Sequence, residues 1–311
     1  MLRCATLFKR ATEWLNRVMN EARIISCVLA AALLLGCSRR PPLTVGCKSF
    51  TEQVVVGEIV AQHLEQRLRI RVDRQLNLGD CLLAHQALVT GQVDLYPEYS
   101  GTALLAILKL PFDPDPAIAL ERVRREYRTR SQLEWLDPLG FSNGFALAIR
   151  GEDARAGRLE TLSDAAAYKP GWVLGVSSEF LGRPDGYRTL MKTYDLPLTD
   201  GPKGMEPGLL YKALAEKQVS MAAVLATDGP LMSGDVKLLA DNKKGFPPGQ
   251  AALVVRADVL ARYPGLRQAL SELSGKISDT AIRKLNYQVD VGRRPPTQAA
   301  RDFLREAGLL R

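Results

Sequence analysis

The sequence runs to 311 residues, 46% hydrophobic and 24% charged, which supplies apolar material for two cores of ordinary size and excludes a disordered chain. Its formal charge of +8 comes from Arg and Lys interleaved with Asp and Glu along the whole length, not gathered into one stripe. That pattern argues against a nucleic-acid-binding surface. In chain order, Arg3, Lys9, Arg10, Arg17 and Arg23 precede the apolar run Ile24 to Leu35, the order of a secretory n-region and h-region. At about a dozen residues this run is too short for a spanning helix, which needs about 20.

Leu34-Leu35-Gly36-Cys37 resembles a bacterial lipobox, which implies a lipoprotein signal peptide over 1–36, cleavage before Cys37 and acylation of its thiol and new amino group. A plain signal peptide or a short anchor is the alternative. Met19 is a second start that leaves a leader of ordinary length, and 37–42 form a Pro-rich tether. With Cys4 and Cys27 in the leader, Cys47 and Cys81 remain as an even pair in an oxidising compartment. Both follow neighbouring predicted strands, so a disulfide between them stands as one expectation and two free thiols in polar loops as the other.

A strand at Leu43 to Cys47 leads to Ser49-Phe50-Thr51-Glu52, the spacing of a capping box, and Val56, Ile59, Val60, His63 and Leu64 follow at helical spacing. A strand carrying Ile70, Val72 and Leu76, a turn at Gly79, a helix to Thr90 stopped by Gly91, and a strand at Val93 to Tyr96 come next. Strand, helix, strand, helix, strand is the order of a parallel sheet covered by helices. Helices at Ser100 to Lys109 and Pro116 to Arg130 precede a strand over Gly140 to Arg150 that leaves this first lobe.

The pattern then starts afresh: helix Thr161 to Tyr168, strand Trp172 to Val176, helices Gly186 to Tyr194 and Pro207 to Lys217, strand Val219 to Ala226. After Gly245-Phe246-Pro247-Pro248 the strand Ala251 to Arg256 returns, and the remainder is mostly helical. The expected organisation is therefore lobe I over 43–142 and 247–311 and lobe II over 143–246. Two connecting segments, near 141–148 and 246–254, would form a hinge beside a cleft.

Catalytic constellations are missing from the sequence. The only two histidines, His63 and His85, read as half-buried helix residues, and no HExxH, CxxC, P-loop or GxGxxG pattern occurs. Gly175-Val176-Ser177-Ser178-Glu179 is not a GxSxG nucleophile elbow. Glu98 and Asp228 read as loop and cap residues. The chain is expected to be no enzyme and to carry neither metal nor cofactor.

Lys48-Ser49-Phe50-Thr51-Glu52-Gln53, Asn77-Leu78-Gly79, Asp94-Leu95-Tyr96-Pro97-Glu98-Tyr99-Ser100-Gly101-Thr102, Glu179 to Tyr187, Ala226-Thr227-Asp228-Gly229 and Leu285-Asn286 occur in that order. In sequence and spacing they resemble the solute-binding proteins of quaternary-amine ABC importers, which take up glycine betaine, choline, carnitine and related osmoprotectants. The resemblance covers the mature chain. It implies an α/β, type II periplasmic-binding-protein fold with two α/β lobes joined by a two-segment hinge, a monomer that passes its ligand to an ABC permease and its ATPase.

In that family a betaine is held at both ends. A quaternary ammonium accepts and donates no ordinary hydrogen bond, so aromatic faces are its neutral partners, at roughly 0.5 to 2 kcal/mol each. A carboxylate takes a guanidinium fork or an ammonium. Carried over by position, the resemblance assigns the carboxylate end to Lys48, Thr102 and Arg183. It assigns the cation end to Tyr99, to Asn143 and Phe145 (an Asn-Gly-Phe-Ala run where the family typically has Asn-Thr-Tyr-Ala), to Leu225 and to Gly249, the last two standing where many members carry tyrosine. The cage is thus thinned. Either rings such as Tyr96, Phe141, Tyr187 or Phe246 substitute, or the ligand is another carboxylate-bearing molecule with a bulkier or less cationic tail. A lipid-anchored sensor or interaction module on the same fold is the rival reading.

Overall fold

Leu43 and Val45 of β1 (Leu43–Gly46) are fully buried, and the strand pairs parallel with β2 (Val72–Gln75) in continuous register from Leu43 opposite Val72. The computed structural model describes residues 42–111, 113–232 and 234–310. The signal peptide, the alternative start at Met19 and the acylation site Cys37 lie outside the described residues. Between β1 and β2 runs α1 (Thr51–Leu68), which is closed by Arg69 in the left-handed region at φ 55°. Val55, Val56, Ile59, Val60 and Leu64 of α1 are wholly buried, packed with the sheet and with the helices Asp279–Asp290 and Pro296–Glu306.

The expected capping box does not form. Phe50 occupies the cap position with no side-chain bond, the Ser49 hydroxyl accepts from the Gly79 N–H at 2.8 Å, and Glu52 turns inward. Tertiary partners for both side chains outcompete the local reciprocal bond.

Beyond α2 (Cys81–Val89), β3 spans Leu95–Tyr99, two residues later than the hydrophobic run suggests and through Pro97. Proline cannot donate to a ladder. It is accommodated here because β1 meets β3 only at Val45 opposite Leu95, leaving no partner on that side at Pro97. Side chains then alternate: Leu95 and Tyr99 join the core on the α1 side, while Tyr96 joins the opposite core with Ala84, Leu88 and Leu104.

Helix α3 (Pro116–Ser131) leads to β4 (Leu133–Ser142), and β5 covers Phe145–Arg150. The single strand expected over 140–150 is broken at Asn143-Gly144, because β4 pairs in one sheet and β5 in another. The first sheet has the order β2-β1-β3-β10-β4, with β10 at Gln250–Arg256. The second has the order β7-β6-β8-β5-β9, with β6 at Leu174–Val176, β7 at Lys203–Gly204, β8 at Met221–Leu225 and β9 at Val236–Leu239. In each sheet one strand runs antiparallel to its neighbours, β10 and β5 respectively, and it is the strand that arrives from the other sheet.

The two crossings touch. The Asn143 N–H donates to the Gly249 carbonyl at 2.8 Å, and a Cβ on Gly249 would stand 1.8 Å from the Asn143 oxygen. Only glycine fits this approach. Among the described residues no helix is long and apolar enough to cross a membrane.

Candidate functional site

The loop after β1 carries Lys48, 5% exposed, whose ammonium lies 4.3 Å from the Tyr99 ring centroid and 5.9 Å from that of Phe50. The same ammonium is ion-paired with Glu98, which is wholly buried. Glu98 also accepts from the Tyr96 hydroxyl at 3.1 Å and from the Tyr99 N–H at 2.8 Å. Period-2 alternation along β3 explains the burial: the strand has a covered face on each side, so Glu98 points inward and is no solvated loop residue. A buried carboxylate needs a cationic partner, and Lys48 is the one in reach.

Tyr99 ends β3 with its ring stacked on Phe50, centroids 6.4 Å apart at 28°. Its hydroxyl donates to Glu52 at 2.6 Å and accepts from the Gln53 amide at 3.0 Å. Three residues on, Thr102 lies in the short helical turn Ser100–Thr102, its hydroxyl 3.5 Å from Arg183 Nη2. Arg183 comes from the second-sheet half, just after the helix Ser178–Gly182. Its fork grips Asp185 at 2.9 and 2.7 Å, its Nη1 reaches Glu179 at 3.1 Å, and its guanidinium carbon sits 5.0 Å from the Phe145 ring centroid. Phe145 opens β5 directly opposite Leu225 and meets Phe180 edge-on at 4.9 Å.

The structure therefore brings Lys48, Tyr99, Thr102, Phe145 and Arg183 together on the turn from β3 into Ser100–Thr102, with Leu225 as apolar wall beside Phe145. The groups expected at the two ends stand next to one another, with Lys48 over the Tyr99 ring and Arg183 over the Phe145 ring. Asn143 lies one layer behind: its amide donates to Glu52 at 3.0 Å. Gly249 is the backbone crossing described above and not a vacated ring position, because its Cβ space is filled by Asn143. Of the rings proposed as substitutes, Tyr96 donates its hydroxyl to Glu98, Phe141 is in the α1 core, and Tyr187 and Phe246 pack with the same second-half core as Phe145. The ring that joins Tyr99 is Phe50, two residues after Lys48. A separate cavity of about 340 Å³ between β5, β9 and Phe246 shares only Phe145 with this group.

Glu52 gathers the surroundings of the site. It accepts from Tyr99, from Asn143 and, at 3.0 Å, from Asn286, which also donates to the Thr227 carbonyl at 2.8 Å. Burial pushes its carboxyl above the ordinary range, against hydrogen bonds from Thr227, Tyr99, Asn286 and Asn143 that pull it back.

Cys47 and Cys81 are both free thiols, which corrects the disulfide expectation. Cys47 turns toward α1, where a Cβ on Gly57 would lie 3.7 Å from its sulfur, whereas Cys81 opens α2 on the side that feels Glu98, Lys48 and Arg183. Burial pushes the Cys47 thiol up to about 11 and raises that of Cys81. His63 is buried with Nε2 2.8 Å from the Ala269 carbonyl, His85 packs edge-on to Tyr127, and no metal-holding cluster occurs among the described residues.

Asp228, beside Leu225, provides a pH test. Burial pushes its carboxyl up to about 6, against bonds from the Leu225 N–H at 3.1 Å and the Tyr211 hydroxyl at 3.0 Å. The native state then holds this proton to higher pH than the unfolded chain does, so stability falls as pH rises from about 4 to 6. Urea unfolding across that window should show a decline on the order of 2 kcal/mol that Asp228→Asn removes; an unchanged slope in the variant would exclude Asp228 as its source.

A family model for the substrate-binding domain of ABC-type glycine betaine transport systems matches residues 41–306. An ergothioneine transport permease/ergothioneine binding protein of Helicobacter pylori is 34% identical over 93% of this chain, which spans 52% of that longer relative. A glycine-betaine-binding protein of Pseudomonas aeruginosa is 33% identical over 95% of this chain and 96% of its own. Among solved structures, a glycine betaine/carnitine/choline ABC transporter protein superposes with a TM-score of 0.79 at 29% identity, covering 86% of this chain and 99% of that one. These relatives are named as transport binding proteins, and the solved structure shares with this chain the two-lobed α/β fold of periplasmic binding proteins. The chain belongs to the family of substrate-binding domains of ABC-type glycine betaine transport systems.

Proposed function

We propose that this chain captures a small carboxylate-bearing zwitterion between its two halves and hands it to an ABC permease and its ATPase. The observation that carries the reading is the convergence of Lys48 and Arg183, one from each half, on the Tyr99–Thr102 turn, with the Phe50, Tyr99 and Phe145 rings around them. Three protons on Lys48 and five on Arg183 leave donors for a guest carboxylate after their own partners are served. Phe50, Tyr99 and Phe145 are the rings beside these cations, and a trimethylammonium group would share their faces with Lys48 and Arg183, which lie over Tyr99 and Phe145. Glycine betaine, carnitine and ergothioneine, for which relatives are named, each combine these two groups.

Lobe I is 43–142 with 247–311, and lobe II is 143–246. Closure about the crossings near 141–148 and 246–254 desolvates the carboxylate contacts and so strengthens them. Acylation at Cys37 holds the protein at the outer face of a membrane, where more than one acyl chain is needed for stable anchoring. The protein acts as a monomer.

Calorimetry with glycine betaine, proline betaine, carnitine, ergothioneine and choline tests the reading. At least one of the four zwitterions is expected to bind more tightly than choline, which lacks the carboxylate. Preference for choline, or binding of none of the five, overturns it.

A further inference from the structure

Both cations of the site are already neutralised by buried carboxylates: Lys48 by Glu98, at 0% exposure, and Arg183 by Asp185, at 3%. The pair on the first sheet is the more enclosed, since Lys48 is itself buried and Glu98 has no access to water. We propose that Glu98 is a specificity-determining residue that cancels the charge of Lys48 and thereby selects a net-neutral zwitterion over an anion of the same shape. The inference rests on the proposed function and deepens it.

Two facts make Glu98 more than a structural partner. Its second oxygen is held by Tyr96 and its first by the Tyr99 N–H as well as by Lys48, so three donors fix the carboxylate beside Tyr99. Lys48 is thereby pinned over the Tyr99 ring instead of reaching outward as a free charge. A guest carboxylate then shares the ammonium with Glu98, which leaves one negative charge in excess on the first-sheet side. The cationic end of a zwitterion compensates that excess; a guest with a carboxylate and a neutral tail does not. Enclosing an uncompensated charge is strongly unfavourable, and specificity by this route arises from what the rejected guest leaves unpaired.

The test compares glycine betaine with 3,3-dimethylbutanoate, in which carbon replaces the quaternary nitrogen, by calorimetry on the whole protein. Wild type is expected to prefer the zwitterion at least tenfold. In Glu98→Gln the Lys48 charge is released, and the preference should shrink at least tenfold or reverse. In Lys48→Met the stranded carboxylate should exclude the anion further and strengthen binding of choline relative to glycine betaine. The double variant Lys48→Met/Glu98→Gln restores neutrality and should restore a preference within about threefold of wild type, with weaker absolute binding.

Should Glu98→Gln fail to fold, the step from Lys48→Met to the double variant decides: adding Glu98→Gln should lower the preference for the zwitterion over the anion at least tenfold, and an equal preference in the two overturns the proposal. A preference ratio unchanged in Glu98→Gln, or a ratio in the double variant tenfold away from wild type, overturns the proposal while leaving the functional reading intact. Wild type that binds no zwitterion of the wider panel overturns the functional reading itself, and the inference falls with it.

Discussion

Replacing Arg183 by alanine is expected to weaken binding of the preferred zwitterion by roughly ten- to a hundredfold, the equivalent of one or two charge-assisted hydrogen bonds. Arg183 is the cation that links the halves: it is carried by the second and stands 3.5 Å from the Thr102 hydroxyl of the first. The substitution also strands Asp185, which is buried and loses both prongs of its fork. An unpaired buried carboxylate repels the guest carboxylate, so the loss exceeds that of the missing donors alone. Arg183→Ala/Asp185→Asn separates the two effects. It should recover thermal stability lost in the single variant and leave binding weak. Affinity unchanged in Arg183→Ala would remove this residue from the site.

Glu52→Ala is expected to have the largest effect on stability, about 3 to 5 kcal/mol, seen as a fall in melting temperature of roughly 10 °C. The carboxylate is the shared acceptor for the Tyr99 hydroxyl and for the amides of Asn143 and Asn286, all buried, and its removal leaves these donors inside the protein with a cavity beside them. Because Tyr99 loses the bond that orients its ring, ligand affinity should fall along with stability. Glu52→Gln keeps the volume and one acceptor oxygen, so its loss should be smaller. A melting temperature within about 2 °C of wild type for Glu52→Ala would show that the three donors find other partners and that Glu52 does not organise the site.

Much of this architecture is legible from residue order alone. The alternation of strand and helix, the departure near residue 143 and the return near residue 250 follow from hydrophobic periodicity, which is a short-range property, and each predicted strand run contains an observed strand, whereas β7, β9 and the first part of β4 lie where no strand is expected. The motif around Tyr99 and Thr102 and the arginine at 183 likewise mark the proposed site without coordinates. Strand edges are less legible. Pro97 reads as a strand end until the divergence of β1 from β3 shows that its missing donor is not needed, and the break at Asn143-Gly144 appears only when two sheets compete for one extended segment.

What residue order determined by itself is the fold class and the chemical identity of the groups of the proposed site, because both reside in local pattern and in motifs of a few residues. What the tertiary structure decided is how those groups are charged and held. Glu98 reads as a loop residue until β3 is seen covered on both faces, and its partner Lys48 is 50 positions away. Glu52 reads as half of a capping box until Asn286, 234 positions along, is placed beside it. Gly249 reads as a lost aromatic until the second crossing is laid against Asn143. In each case the deciding energy is that of enclosing a charge, a dipole or a Cβ among distant neighbours, which a window of adjacent residues does not contain.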